Sequence, residues 1–195
     1  MSSLYDIIIY PDAILKQVSN PVSSITPDIQ RQAQIMMETM YHARGIGLAA
    51  NQVNIANRIF VMDVDPDCWE YENETDKVLS IRSKHREGAT ITSNPIVMIN
   101  PEIVKQSDQL SVYQEGCLSI PQQYADVERP AHVTVEYINL KGEKKSWDVS
   151  GLESHCVQHE LDHLNGVLFI DYLSRLKRGS LVRKLEKYKK AEGIL

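Results

Sequence analysis

Two histidines four residues apart flank a glutamate in the run His159-Glu160-Leu161-Asp162-His163. On a helix, residues at this spacing lie one turn above each other, so both imidazoles reach a single ion. Glu160 then projects beside that ion and is placed to take a proton from water there. A catalytic metal commonly has three protein ligands and one open position, so this run lacks one ligand. The chemistry indicated is metal-assisted hydrolysis.

The cysteines are Cys68, Cys117 and Cys156. Cys156 shares the expected helix, and its Cα lies roughly 10 Å along the axis from that of His163, too far for one ion to join both comfortably. It reads as a small buried apolar residue beneath the site. Cys68 falls in an acidic stretch with nothing to support it. Cys117 stands in Glu115-Gly116-Cys117-Leu118-Ser119, after a strand candidate, where the glycine allows a close backbone. A thiolate there completes the ligand set across a cleft. The sequence departs from the common metalloproteases. Phe169 stands where the metzincin pattern needs a third His, and the nearest following Glu, Glu186, is alone in a basic tail. A non-catalytic module with a closed metal site is the remaining rival, and it would make Glu160 dispensable.

These residues need elements to hold them. Ser150-Gly151-Leu152-Glu153 reads as a capping box opening a helix that Asn165-Gly166 ends. Leu152, Cys156, His159, Glu160 and His163 share its face, with His155 just off it at the pocket rim. Thr26-Pro27-Asp28 opens an earlier helix, carried by Ile29, Ala33, Met36, Met37 and Met40 and ended by Gly45. Gly45 to Gln52 is a tight, small-residue segment that lets backbone approach another group. Arg58 to Val64, Ile96 to Ile99, Ile103 to Gln106 and Ser111 to Gln114 read as strands. His132 to Leu140 alternates, turns at Lys141-Gly142 and returns through Lys144 to Val149. Ser174 to Lys190 forms a final helix. The order gives an α+β fold: mixed or antiparallel sheets around a central motif-bearing helix, with an N-terminal and a C-terminal helix. Residues 1–195 make one domain, with 65–94 a charged, aperiodic surface insertion and 174–195 a basic C-terminal helix.

Composition narrows the class. With 43% hydrophobic and 24% charged residues, the chain is an ordinary soluble globular protein. A net charge of −5 argues against general nucleic-acid binding. Yet Arg175 to Lys190 holds eight Lys or Arg and one acid, so that segment carries +7 and the remainder −12. Two readings of this helix stand: a solvated helix whose cations suit its negative end, or a docking surface. No apolar run of about 18 residues exists, so no membrane span is expected. The N-terminus has no signal-peptide pattern, and three cysteines are no disulfide framework, which together point to a reducing cytosol.

Gly45-Ile46-Gly47-Leu48-Ala49-Ala50-Asn51-Gln52, Glu115-Gly116-Cys117-Leu118-Ser119 and Gln158-His159-Glu160-Leu161-Asp162-His163-Leu164-Asn165-Gly166 together resemble peptide deformylase of the bacterial type. So do Tyr10-Pro11-Asp12, Asn100-Pro101-Glu102 and Phe169 to Leu173. The resemblance covers most of the chain outside 65–94. It implies removal of formyl from the N-terminal formylmethionine of nascent polypeptides, releasing formate, in the bacterial cytoplasm. It implies one divalent ion on Cys117, His159 and His163, Fe(II) natively with Zn, Ni or Co able to substitute; thiolate and imidazole by themselves suit Zn equally. It implies Glu160 as proton carrier, and the Gln52 amide and Leu118 backbone N–H as donors to the formyl oxygen. It places Ile46, Gly47, Tyr113, Leu152 and His155 around the substrate. A monomer is expected, and the family's need to meet nascent chains supports docking to the ribosome as one reading of the basic helix, with the solvated helix standing beside it. Glu115, Asp162 and Arg129 are expected behind the ligands, with their pairings open. Two positions depart from the family, which often has an aliphatic residue at His155 and an Arg at Tyr124.

Overall fold

A computed structural model describes residues 4–64 and 95–194. The expected 65–94 surface insertion, with Cys68, lies outside the described residues. Helix α1 (Pro27–His42) starts where Thr26 Oγ1 accepts a bond from the Ile29 N–H at 3.3 Å, with Pro27 in the first turn. It ends in a Schellman motif: Gly45 N–H donates to Met40 O and Arg44 N–H to Tyr41 O, each at 2.9 Å. The left-handed residue is Arg44 (φ 55°), not the Gly45 expected to end the helix. Gly45 serves a different purpose. A Cβ there would stand 2.7 Å from Leu118 Cδ1, so the chain passes close over that side chain.

Among the described residues seven strands follow: β1 (Gly47–Ala49), β2 (Ile59–Met62), β3 (Ile96–Gln106), β4 (Leu110–Cys117), β5 (Ile120–Pro130), β6 (His132–Ile138) and β7 (Lys144–Ser150). The tight Gly45–Gln52 segment thus contains a short strand, and a 3₁₀ turn (Ala50–Val53) follows it. One sheet has the order β1-β2-β3-β6-β7; β4 and β5 form a second, two-stranded sheet, and every strand pair is antiparallel. The two strands expected over 96–106 are one, interrupted where Pro101 has no N–H for the ladder and Asn100 takes φ 51°. The Asn100 side chain instead exchanges two bonds of 2.8 Å with the Val22 backbone, tying down the N-terminal segment. Strand β5 was not expected. Its buried positions include Gln123 and Arg129 beside Val127, so its inward face shows no apolar alternation.

The larger sheet is covered on both faces, which is why β2 is buried at every position. Ile59 and Val61 pack with Met36 and Met40 of α1; Phe60 and Met62 pack with Cys156 and Val157 of helix α2 (Gly151–Leu164). Helix α2 lies between the two sheets, with Ser154 through Leu161 buried. Its start differs from the expected capping box. Ser150 makes no side-chain cap bond, because it is committed to β7 opposite His132, and the chain turns directly into the helix at Gly151 (φ 57°). Its end is a second Schellman motif, with Gly166 N–H to His163 O at 3.0 Å and Val167 N–H to Asp162 O at 2.9 Å.

Helix α3 (Arg175–Ala191) is capped by Ser174 and packs Leu181 and Leu185 against Leu15, Ile120, Val127 and Phe169. Lys189 is buried and donates to Tyr10 O at 3.3 Å, so at least one cation of the basic segment is structural. Among the described residues, no helix is long and apolar enough to cross a membrane.

Gly166 (φ 73°) leaves no room for a side chain: a Cβ would lie 2.4 Å from Lys16 O. The Gly166→Ala protein is expected to lose about 1–3 kcal/mol of stability, read from its urea midpoint. A midpoint equal to that of the wild type would show that this turn relaxes freely.

Candidate metal centre and cleft

Strand β4 ends at Cys117, where its register with β5 breaks so that Cys117 faces Ile120. This tight turn carries the thiol over α2. There Cys117, His159 and His163 each offer a ligand atom within 4.8 Å of the others, and Cys117 Sγ is 3.1 Å from His163 Nε2. His159 Nδ1 is held by Glu115 Oε2 at 2.9 Å, which leaves its Nε2 as the outward donor. Phe169 stacks on the His159 ring with centroids 6.2 Å apart. The residue that breaks the metzincin pattern thus buttresses a candidate ligand. A thiolate and two imidazoles in this arrangement fit Fe(II) or Zn.

The pairings open at the level of sequence are set by Arg129. Its Nε donates to Glu115 Oε1 at 2.6 Å and its Nη2 to Glu115 Oε2 at 2.9 Å, while Nη1 reaches Asp162 Oδ2 at 2.7 Å. Tyr172 OH also donates to Asp162 Oδ2, at 2.9 Å. Burial alone would raise the Glu115 carboxyl, but hydrogen bonds from His159 and Arg129 outweigh it and bring it down to about 2. Arg129 is likewise held well above its ordinary value by Glu115 and Asp162, against its own burial.

Glu160 is buried, and its Oε2 has no hydrogen-bond partner among the described residues. Burial pushes its carboxyl up to about 7. A cation held between the ligands favours its ionised form. Gly47 makes room for it: a Cβ at that position would lie 2.3 Å from Glu160 Oε1. Gln52 is fixed from both ends. Its Oε1 accepts from the Ala49 N–H at 2.8 Å, and its Nε2 lies 3.2 Å from Ser119 Oγ and 3.5 Å from Cys117 Sγ. The part played by Ser119 and by the Ala49 N–H was not foreseen, since both contacts depend on β1 and the β4–β5 turn meeting. Cys156 donates to Ile46 O at 3.5 Å, and burial raises its thiol, as befits a structural residue.

A cleft of about 550 Å³ opens above these groups. Ile46, Gly47, Tyr113, Leu152 and His155 all line it, as do Leu118 and Tyr124. His155 differs from its expected place at the rim. It is only 2% exposed, with Nε2 2.9 Å from Ser111 Oγ and Nδ1 3.3 Å from Glu115 Oε1. It lies one turn before His159, so the contact of α2 with β4 carries it inward.

A ligand cluster at the foot of a cleft, beside a buried carboxylate, defines a metal-dependent hydrolase of α+β architecture. Comparison with known proteins makes this specific. The polypeptide deformylase family matches residues 4–179. The peptide deformylase of Rhizobium meliloti is 46% identical over 187 residues, covering 96% of this chain and 95% of that protein. That of Bradyrhizobium sp. is 47% identical, covering 98% and 99%. Among solved structures, a peptide deformylase from Legionella pneumophila superposes with a TM-score of 0.82 at 34% identity, covering 98% of each chain. One from Ehrlichia chaffeensis in complex with actinonin gives 0.80 at 34% identity, covering 98% of this chain and 99% of that one. The chain belongs to the polypeptide deformylase family, and it removes the formyl group from the N-terminus of newly made polypeptides.

The low Glu115 value has a consequence for stability. A carboxyl whose folded value lies below its unfolded one stabilises the fold at pH above the unfolded value, and that contribution fades as the pH falls. For Glu115 the window runs from about 4.5 down to about 2. The wild type should therefore exceed Glu115→Gln in stability at neutral pH, by an amount on the order of 3 kcal/mol. The gap should close below pH 4 in urea titrations; a gap independent of pH would mean that ionisation of Glu115 is not its source.

Proposed function

We propose that Cys117 Sγ and the Nε2 atoms of His159 and His163 hold one divalent ion, Fe(II) in the cell with Zn, Ni or Co able to replace it. The observation that carries this reading is the convergence of the three donors beside a buried Glu160 oxygen that has no hydrogen-bond partner among the described residues. The ion, when bound, supplies the positive charge that makes water more acidic and polarises the formyl oxygen.

The remaining work belongs to the chain. Glu160 takes the proton of the attacking water and delivers it to the amine nitrogen as the formyl carbon–nitrogen bond breaks. Gln52 serves the formyl oxygen, where negative charge builds. With its Oε1 anchored by Ala49, its amide donors face the ligand cluster without further reorganisation. The Leu118 backbone N–H, in the turn next to Cys117, is the second donor. Ile46, Gly47, Tyr113 and Leu152 receive the methionine side chain and the peptide behind it, with His155 backing that wall.

The test is formate release from formyl-Met-Ala-Ser by wild type and Glu160→Ala, with bound metal measured in both. The variant should keep its metal and lose about 10²–10⁴-fold in kcat. Full activity in the variant would remove Glu160 from the reaction.

We further propose a cytoplasmic monomer that meets nascent chains at the ribosome through α3. Arg175, Lys177, Arg183, Lys184, Lys187 and Lys190 are exposed, which supports contact with a phosphate-rich surface. Reversing the charges at Lys184 and Lys187 should weaken co-sedimentation with ribosomes and leave hydrolysis of the free peptide intact. Undiminished co-sedimentation would leave α3 as a solvated helix.

A further inference from the structure

Glu115 is shared by two imidazoles. Arg129 grips the carboxylate bidentately from one end. His159 Nδ1 takes Oε2 at 2.9 Å, and His155 Nδ1 approaches Oε1 at 3.3 Å. We propose that His155 is a positioning residue for the metal centre: it holds the carboxylate that orients His159 and links it to the cleft wall through Ser111. This inference rests on the ligand set proposed above.

The hydrogen-bond logic assigns each proton. An ionised carboxylate only accepts, so the hydrogen of His155 sits on Nδ1. Its Nε2 then accepts from the Ser111 hydroxyl at 2.9 Å. Burial lowers the affinity of the ring for a second proton and so favours this neutral form. With both nitrogens engaged, His155 is neither a metal ligand nor a proton donor to substrate.

Its neighbours explain what it couples. Ser111, Tyr113 and Glu115 alternate along β4 and so point to one side. The ring of His155 lies 4.4 Å from that of Tyr113, centroid to centroid. One side chain of α2 therefore touches all three. An aliphatic residue would fill the same space but leave Glu115 Oε1 to Arg129 Nε alone. The carboxylate would then lose one of the two donors that fix Oε1, and with it part of the restraint on the His159 ring that donates to Oε2.

The experiment uses the full chain loaded with Co(II), in wild type, His155→Leu, His155→Asn and Ser111→Ala. Chelator competition gives the Co(II) dissociation constant, the visible spectrum reports the ligand geometry, and kcat and KM on formyl-Met-Ala-Ser are measured at saturating metal. His155→Leu should weaken Co(II) binding about 10-fold and shift its absorption bands. Its kcat should fall by more than its KM rises. His155→Asn returns an N–H to Glu115 and should recover most of the affinity and the original spectrum. Ser111→Ala keeps the Glu115 bond and should give a smaller loss in the same direction.

A His155→Leu protein with wild-type affinity and spectrum overturns the proposal, as does one in which KM alone changes. If that variant does not fold, wild-type affinity and spectrum in Ser111→Ala overturn it instead. A wild-type protein that binds no Co(II) overturns the ligand set and this inference with it. Wild-type binding with no change in His155→Leu overturns this inference alone.

Discussion

The buried guanidinium of Arg129 is the constraint around which the molecule is arranged. It stands on β5, grips Glu115 of β4, reaches Asp162 of α2 and lies 4.8 Å from the centroid of the Tyr172 ring. A cation 3% exposed costs several kcal/mol to bury unless its partners are close and well directed. Those partners come from separate elements, so satisfying the charge forces β4, β5, α2 and the turn at Phe169–Tyr172 into one relative placement. His159 inherits its orientation from this. Arg129 holds both oxygens of Glu115 and His155 approaches Oε1 from α2, so the imidazole that donates to Oε2 aims its other nitrogen at Cys117.

This placement also explains how so polar a helix is buried. Helix α2 carries Gln158, His159, Glu160 and His163 into the interior between two sheets. Gln158 and His159 find hydrogen-bond partners: Gln158 donates to Pro130 O at 3.0 Å and His159 to Glu115. Glu160 Oε2 and His163 Nδ1 do not, among the described residues. Both belong to residues of the ligand site, and the unpartnered oxygen of Glu160 is the one that can accept a proton there. Close backbone packing does the rest. Gly47 lets β1 pass over Glu160, and Gly45 lets the same segment pass over Leu118, so the cleft wall rests directly on the site.

Much of the fold could be read from local patterns. Helix α1 announced itself through Thr26, Pro27 and its methionine spacing, and the hairpin of β6 and β7 through alternation about Lys141-Gly142. The misreadings arose where a local signal was overruled by a distant one. Ser150 and Glu153 have the composition of a capping box, but pairing with His132 takes Ser150 into a strand. Gly45 looked like a helix terminator, whereas Arg44 bears the positive φ and Gly45 answers to Leu118. Strand β5 hid because its inward face carries Gln123 and Arg129, whose partners lie on other elements.

The sequence by itself determined the chemistry on offer. The i, i+4 spacing of His159 and His163 is a property of one helix, and the absence of a third His at Phe169 is visible without coordinates. Cys117 could be nominated by elimination. Only the tertiary structure decided how these groups are held. It brought Cys117 Sγ to 3.1 Å from His163 Nε2, joined Glu115 to Arg129 and drew His155 inside to Ser111. The reason is physical: helical periodicity repeats within one segment, whereas each of these contacts joins residues of different elements. No local rule states which carboxylate a buried guanidinium will meet. The helix that carries His159 and His163 was therefore legible from its own residues, and the carboxylate that aims it was not.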